Sequence, residues 1–175
     1  MLALTSRLIS RTAKFFFGAL LVGCSSLSTA DRICSDFATL KCLKKNYATF
    51  EKHRGFQEPE YQEFWAILDA AAARMAECRN ITEVQDFMDL VSLNPRSAAL
   101  DEFLSKKIET LVVKNPSCAL KGIQRLKGPS KSLVLERLRR PDFVEESQIR
   151  QAFSDAQSSS TLKELADAYF SVPTQ

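Results

Sequence analysis

NPRSAALDEFLSKKIETLVVKNPSCAL, residues 94–120, is the stretch that most clearly indicates how this chain folds. It contains the dipeptide Asn-Pro twice, and this pair fits the N-cap and the first position of a helix. Between the two dipeptides, apolar residues recur every three or four positions, as on one helix face. We therefore predict a helix from Asn94-Pro95 to about Lys114 and a second one from Asn115-Pro116. The first helix would turn these residues inward: Leu100, Phe103, Leu104, Ile108, Leu111 and Val112.

Similar helical signals occur on both sides of this stretch. Apolar stripes with a 3.6-residue period predict helices over about 31–52 and 59–79, and neither segment alternates as a strand would. Prolines fall between the periodic segments, where they start or end helices. The sequence thus predicts an all-α fold of seven or eight short helices stacked as helical hairpins. The remaining starts and breaks are Thr82-x-x-Gln85, Gly128-Pro129 (with Leu133, Val134, Leu135 and Leu138 inside), Pro141 to Glu145, and Ser158 to Ser160.

Two arrangements of these hairpins are compatible with the sequence. The Asn-Pro starts at 94 and 115 loosely resemble a repeat, and this resemblance to HEAT and armadillo proteins implies an irregular α-solenoid. Those families repeat about every 40 residues, whereas this spacing equals one helix and its turn. The alternative is a globular helical domain.

The first 30 residues have the character of an export signal. Arg7, Arg11 and Lys14 precede the apolar run 15–22, which is shorter than the roughly 20 residues needed to span a bilayer. The run ends in Leu21-Val22-Gly23-Cys24, which resembles the lipobox of bacterial lipoproteins. The resemblance implies a signal peptide at 1–23, lipidation of Cys24 with acyl chains such as palmitate, a tether at 24–30 and one helical domain at 31–172.

The same resemblance implies a place in the cell envelope. Ser25 and Ser26, rather than aspartate, follow the lipidated cysteine, which favours the outer membrane with the domain facing the periplasm. An alternative is cleavage after Ser28-Thr29-Ala30, which would release a soluble chain. A third is an uncleaved or cytosolic chain.

Four cysteines, Cys34, Cys42, Cys78 and Cys118, remain when Cys24 is set aside, and an even number in an exported domain favours two disulfides. Two cysteines eight residues apart on one helix are separated by about 12 Å, too far to bond. A hairpin centred near Phe56 would bring Cys34 to Cys78, leaving Cys42 for Cys118. Free buried thiols are an alternative. No metal site is predicted, since there is no C-x2-C pair and one histidine, His53.

Charge is balanced overall but segregated along the chain. The basic excess lies in the signal, and a neutral domain argues against nucleic-acid binding. Residues 58–102 hold ten acids and three bases, whereas residues 106–140 hold ten bases and two acids. The basic segment is either a solvated face or a surface for an acidic protein or an anionic lipid headgroup. The candidate partner-binding residues are Lys121, Arg125, Lys127, Lys131, Arg137, Arg139 and Arg140.

Sequence motifs for catalysis are absent, because none of the common nucleotide, hydrolase or metalloprotease patterns occurs. We expect no catalytic residues and no cofactor, and a lipid-anchored periplasmic lipoprotein whose helical domain binds another protein. The alternatives are a structural envelope protein and a cell-wall enzyme that uses two carboxylates. Tyr61, Phe64 and Trp65 are expected in the core, the alternative being an exposed binding patch. The candidate carboxylate pairs are Glu60/Glu63, Asp86/Asp89 and Glu145/Glu146.

Overall fold

A computed structural model describes Cys34, Gly55 and residues 40–52, 57–93 and 97–171. The predicted signal peptide, the lipobox with Cys24 and the tether lie outside the described residues, as do residues 31–33 and 172. The described ranges form eight α-helices and no strand, which confirms the all-α prediction. The helices are α1 (Leu40–Lys52), α2 (Pro59–Glu77), α3 (Ile81–Met88), α4 (Ala98–Lys114), α5 (Pro116–Arg125), α6 (Pro129–Arg139), α7 (Glu146–Ala156) and α8 (Lys163–Phe170), and a 3₁₀ helix, Asp89–Leu93, follows α3.

Proline marks the starts of three helices, as the sequence predicted for each of them. Pro59, Pro116 and Pro129 occupy the first turn of α2, α5 and α6. Proline is tolerated there because the first backbone N–H groups of a helix have no intrahelical acceptor. Gly128, which precedes α6, has a φ of 53°, a left-handed conformation that glycine adopts without steric cost.

Three other predicted starts were wrong. Cys34 is not helical, so the first helix, Leu40–Lys52, is not continuous with residue 31. Helix α3 is capped by Asn80, whose Oδ1 accepts a hydrogen bond from Thr82 N at 2.9 Å. The fourth helix begins after Ser97, whose extended backbone places it at the N-cap, instead of at Asn94-Pro95. Serine and asparagine are both favoured N-cap residues, so Ser97 and Asn94 were both suitable, and Ser97 holds the position.

The core is built around α4, which contacts α5 and α7, with α3 packed on α5. Small residues let α5 approach closely, and a Cβ placed on Gly122 would lie 2.5 Å from Val84 Cγ1. The predicted inward residues of α4 are buried except Phe103, which is partly buried. The prediction for Leu133 was wrong, since its side chain is 39% exposed. Residues 133–135 are consecutive, and successive residues of a helix point in different directions.

The disulfides join Cys34 to Cys42 and Cys78 to Cys118, with Cα–Cα distances of 5.9 and 6.3 Å. The predicted pairs, Cys34 with Cys78 and Cys42 with Cys118, were wrong. That prediction placed Cys34 and Cys42 on one continuous helix, but α1 begins at Leu40, so the 12 Å separation does not apply. Cys78 ends α2 in a left-handed conformation, and α5 brings Cys118 to it.

Some helices pack against their neighbours in the chain, and others pack against helices further along it. Sequential neighbours such as α1 with α2 and α7 with α8 are in contact, as expected for hairpins. In addition α3 packs on α5, α4 on α7, and the 3₁₀ helix on α6. This mixture of neighbours is not the constant stacking register of a regular helical repeat.

Candidate functional site

The seven candidate partner-binding residues belong to two groups in the structure. Lys121 and Arg125 lie one turn apart on the outer side of α5, and Lys127 lies two residues after the helix ends. All three side chains are exposed. We call Lys121, Arg125 and Lys127 the α5 basic face. None of the three makes an ion pair within the ranges that the structure describes.

The orientation of α5 follows from its sequence. Its opposite side buries Ala119, Leu120 and Ile123, so residues one turn apart at 121 and 125 face solvent. Cys118 also links the helix to the end of α2 through its disulfide. Lys121 and Arg125 are therefore carried on a helix that is fixed by both packing and a covalent bond, and Lys127 follows directly after that helix.

Arg137 ties α6 to α4. Its guanidinium donates to Asp101 Oδ1 at 2.5 Å, to the Asp101 carbonyl at 3.1 Å and to Ser105 Oγ at 2.5 Å. The Arg137 side chain is only 18% exposed. A guanidinium with three intramolecular acceptors has few donors left for a partner.

Arg139 closes the end of α8. Its Nε donates to the Tyr169 carbonyl and its Nη2 to the Ala168 carbonyl, both at 2.8 Å. The guanidinium also lies 5.7 Å from the centre of the Tyr169 ring. The last carbonyls of a helix lack intrahelical donors, so Arg139 serves as a C-terminal cap. Lys131 is partly buried in the first turn of α6, and Arg140 is exposed after its last turn.

The candidate carboxylate pairs contain groups that hold the fold together. Glu63 is buried and accepts a hydrogen bond from Cys34 N at 2.7 Å. Asp89 forms an ion pair with Lys44 and accepts from Ser130 Oγ at 2.5 Å. These contacts give both carboxylates a structural role.

Glu109 is a buried carboxylate that the sequence analysis missed. It is fully buried, and its two oxygens accept hydrogen bonds from Asp142 N at 3.2 Å and Phe143 N at 2.8 Å. Burial raises the pKa of Glu109, and the two backbone hydrogen bonds oppose that shift in part. No sequence signal pointed to Glu109, because a glutamate is almost never fully buried unless it has bonding partners, and its partners lie more than 30 positions away.

A small cavity of about 220 Å³ lies between α1, α2 and the start of α4. The core prediction for the aromatic triad holds for Phe64, which is buried, whereas Tyr61 and Trp65 are half-buried and border this cavity. Trp65 also packs against Phe103 of α4 with ring centres 5.4 Å apart. The full described lining is Tyr47, Phe50, Glu51, Tyr61, Phe64, Trp65, Ser97 and Leu100. We call it the aromatic cavity.

Comparison with known proteins finds no matching family model, no similar curated protein and no similar solved structure. Within the described ranges, no helix is both long enough and apolar enough to cross a membrane. The same residues hold no cluster of three or more histidine, cysteine or acidic side chains suited to a metal ion.

Proposed function

We propose that this chain is a lipid-anchored periplasmic lipoprotein whose helical domain binds the acidic surface of another protein through the α5 basic face. The lipobox-like Leu21-Val22-Gly23-Cys24 supports the anchor. The observation that carries the binding role is the exposed charge of Lys121 and Arg125 on the fixed helix α5, and of Lys127 two residues after its end, with no ion pair among the described residues. The domain acts by presenting these side chains and performs no catalysis.

The contrast with the other bases of the segment supports this choice of residues. Arg137 and Arg139 bond to α4 and α8, so their charges stabilise the domain itself. The three residues of the α5 basic face make no comparable bond within the described part of the chain. Exposed side chains of this kind contribute little to folding, which leaves their charge free to act on a partner.

Long-range attraction would be the main contribution of this surface. Three like charges close together in the chain raise the rate at which an acidic partner is encountered, more than they raise the affinity. Salt weakens the effect, because the Debye length falls to about 8 Å near physiological ionic strength. A tether of about seven residues would also hold the domain close to the membrane, so anionic lipid is the main competing ligand for the same charges.

Site-specific photo-crosslinking in the intact envelope tests the binding role. A photoreactive amino acid replaces Ser117, which is exposed on the same side of α5, and in a matched strain it replaces Ser154, which is exposed on α7. We expect one discrete protein adduct from position 117 and none from position 154. Equal adducts from both positions, or adducts with lipid alone from position 117, would refute the proposed surface.

The anchor has its own test. Cys24→Ser should abolish acylation and move the protein out of the membrane fraction, because the acyl chains provide the membrane affinity. Mass spectrometry of the mature protein should show an acylated N-terminal cysteine. An unmodified N-terminus at Asp31 would show that the chain is secreted instead.

A further inference from the structure

We propose that the aromatic cavity binds a methylated ammonium group, that is, a small organic cation such as a quaternary amine. This site is separate from the α5 basic face and does not depend on the role proposed for that face. It lies between α1, α2 and the start of α4.

Five of the eight described lining residues are aromatic: Tyr47, Phe50, Tyr61, Phe64 and Trp65. Their rings are inclined rather than stacked. The planes of Phe64 and Trp65 meet at 85°, those of Tyr61 and Trp65 at 63°, and those of Phe50 and Phe64 at 48°. Inclined aromatic rings that line one cavity can offer it both ring edges and the negative ring faces, and such faces attract quaternary ammonium groups.

The charge of the described lining also favours a cation. Glu51 is its one charged member, and no lysine or arginine is among the described lining residues. The start of α4 contributes a partial positive charge beside Ser97, but the carboxylate of Glu102 in the following turn offsets it. Helix α2, which also borders the cavity, lies within the acidic segment 58–102.

Size limits the ligand further. A volume of about 220 Å³ is below the roughly 300–1,000 Å³ of pockets that enclose drug-sized molecules. The aromatic cavity therefore accommodates a headgroup rather than an entire large ligand. An organic cation with apolar methyl groups matches both the aromatic walls and the carboxylate, whereas a strongly hydrated inorganic ion would match only the carboxylate.

Intrinsic fluorescence tests the proposal directly, because the chain has a single tryptophan and it borders the cavity. The folded protein is titrated with choline chloride and, separately, with 3,3-dimethyl-1-butanol, the neutral molecule in which carbon replaces nitrogen. Sodium chloride at equal ionic strength serves as the reference. We expect a saturable change with choline and about ten-fold weaker binding of the neutral molecule. Equal binding of the two, or no saturable change with choline, would overturn the proposal.

Two variants separate the contributions of charge and of the rings. Glu51→Gln should weaken choline binding at least five-fold and leave dimethylbutanol binding unchanged, whereas the matched charge change Glu164→Gln on α8 should have no effect. Tyr61→Leu, which keeps an apolar wall but removes one ring, should also weaken choline more than the neutral molecule. Thermal melts establish that each variant is folded. If folded Glu51→Gln and Tyr61→Leu both retain wild-type choline affinity, the site is not a cation site.

Discussion

Glu109 connects α4 to the turn between α6 and α7 by accepting hydrogen bonds from Asp142 N and Phe143 N, and the burial of its carboxyl group should make stability depend on pH. The pKa of Glu109 in the folded protein is raised above its ordinary value by burial. The folded state therefore binds more protons than the unfolded state between the two pKa values, so the free energy of unfolding falls as pH rises through that window. Denaturant unfolding from pH 4 to pH 8 should show this loss in the wild-type protein.

Glu109→Gln provides the control for that measurement. The variant lacks the titrating group. The stability difference between wild type and variant should therefore shrink as the pH rises above the pKa that Glu109 has in the unfolded chain. The amide keeps only one acceptor oxygen, and we expect the variant to lose about 1–3 kcal/mol at low pH. A stability difference that stays constant over the whole pH range would contradict the buried, shifted carboxylate.

The cysteine pairing is a second prediction at the scale of single residues. Peptide mapping without reduction should recover Cys34 linked to Cys42 and Cys78 linked to Cys118. Replacing Cys78 and Cys118 with alanine should cost more than replacing the other pair, since their sequence separation is 40 against 8. The chain-entropy relation gives about 4 and about 2.5 kcal/mol. Recovery of Cys34 linked to Cys78 would contradict the structure.

At the scale of elements, the contact between α3 and α5 depends on Gly122. On an isolated helix Gly→Ala stabilises by about 1 kcal/mol, but here the new methyl group would collide with Val84. Overpacking of a core costs about 1–3 kcal/mol, so we expect Gly122→Ala to lower the free energy of unfolding.

The double variant Val84→Ala/Gly122→Ala checks the cause of that loss. Removing the Val84 methyl groups relieves the collision, so Gly122→Ala should cost much less in the Val84→Ala background than in wild type. Equal costs in both backgrounds would show that the close approach of α5 to α3 is not what requires glycine.

Arg139 should determine the stability of α8. Arg139→Ala removes two hydrogen bonds to the last carbonyls of that helix, and we expect a loss of about 1–3 kcal/mol with faster hydrogen exchange in α8. Arg125→Ala, at an exposed position of α5, should change stability by less than about 0.5 kcal/mol. Similar unfolding curves for the two variants would contradict the cap.

The elements also show what the sequence could and could not predict. Proline starts and apolar stripes predicted α2, α5 and α6 correctly, because these signals act within one turn of the chain. The apolar stripe over about 31–52 predicted one continuous helix, but Cys34 is not helical, and the sequence carries no local signal of that interruption. That error excluded the Cys34–Cys42 bond from the predicted cysteine pairs.

At the scale of the whole molecule, the acidic and basic segments meet where Arg137 bonds to Asp101. These two residues are 36 positions apart, so no local pattern could show that Arg137 has an internal role. Sequence reasoning thus found the basic segment but could not separate the bases that hold the fold from the α5 basic face. The aromatic cavity was equally hidden, because its walls come from three helices.

The most direct test of the proposed function is the association rate between the domain and its crosslinked partner, measured at several salt concentrations. The test variant changes Lys121, Arg125 and Lys127 to glutamate, and the control variant makes the same change at the exposed Lys41, Lys45 and Lys52 of α1. We predict that the test variant associates about ten-fold more slowly than the wild type at low salt, and that the control variant associates much faster than the test variant. Added salt should slow the association of the wild type. Equal rates for the two variants, or a wild-type rate that does not change with salt, would contradict the assignment of binding to the α5 basic face.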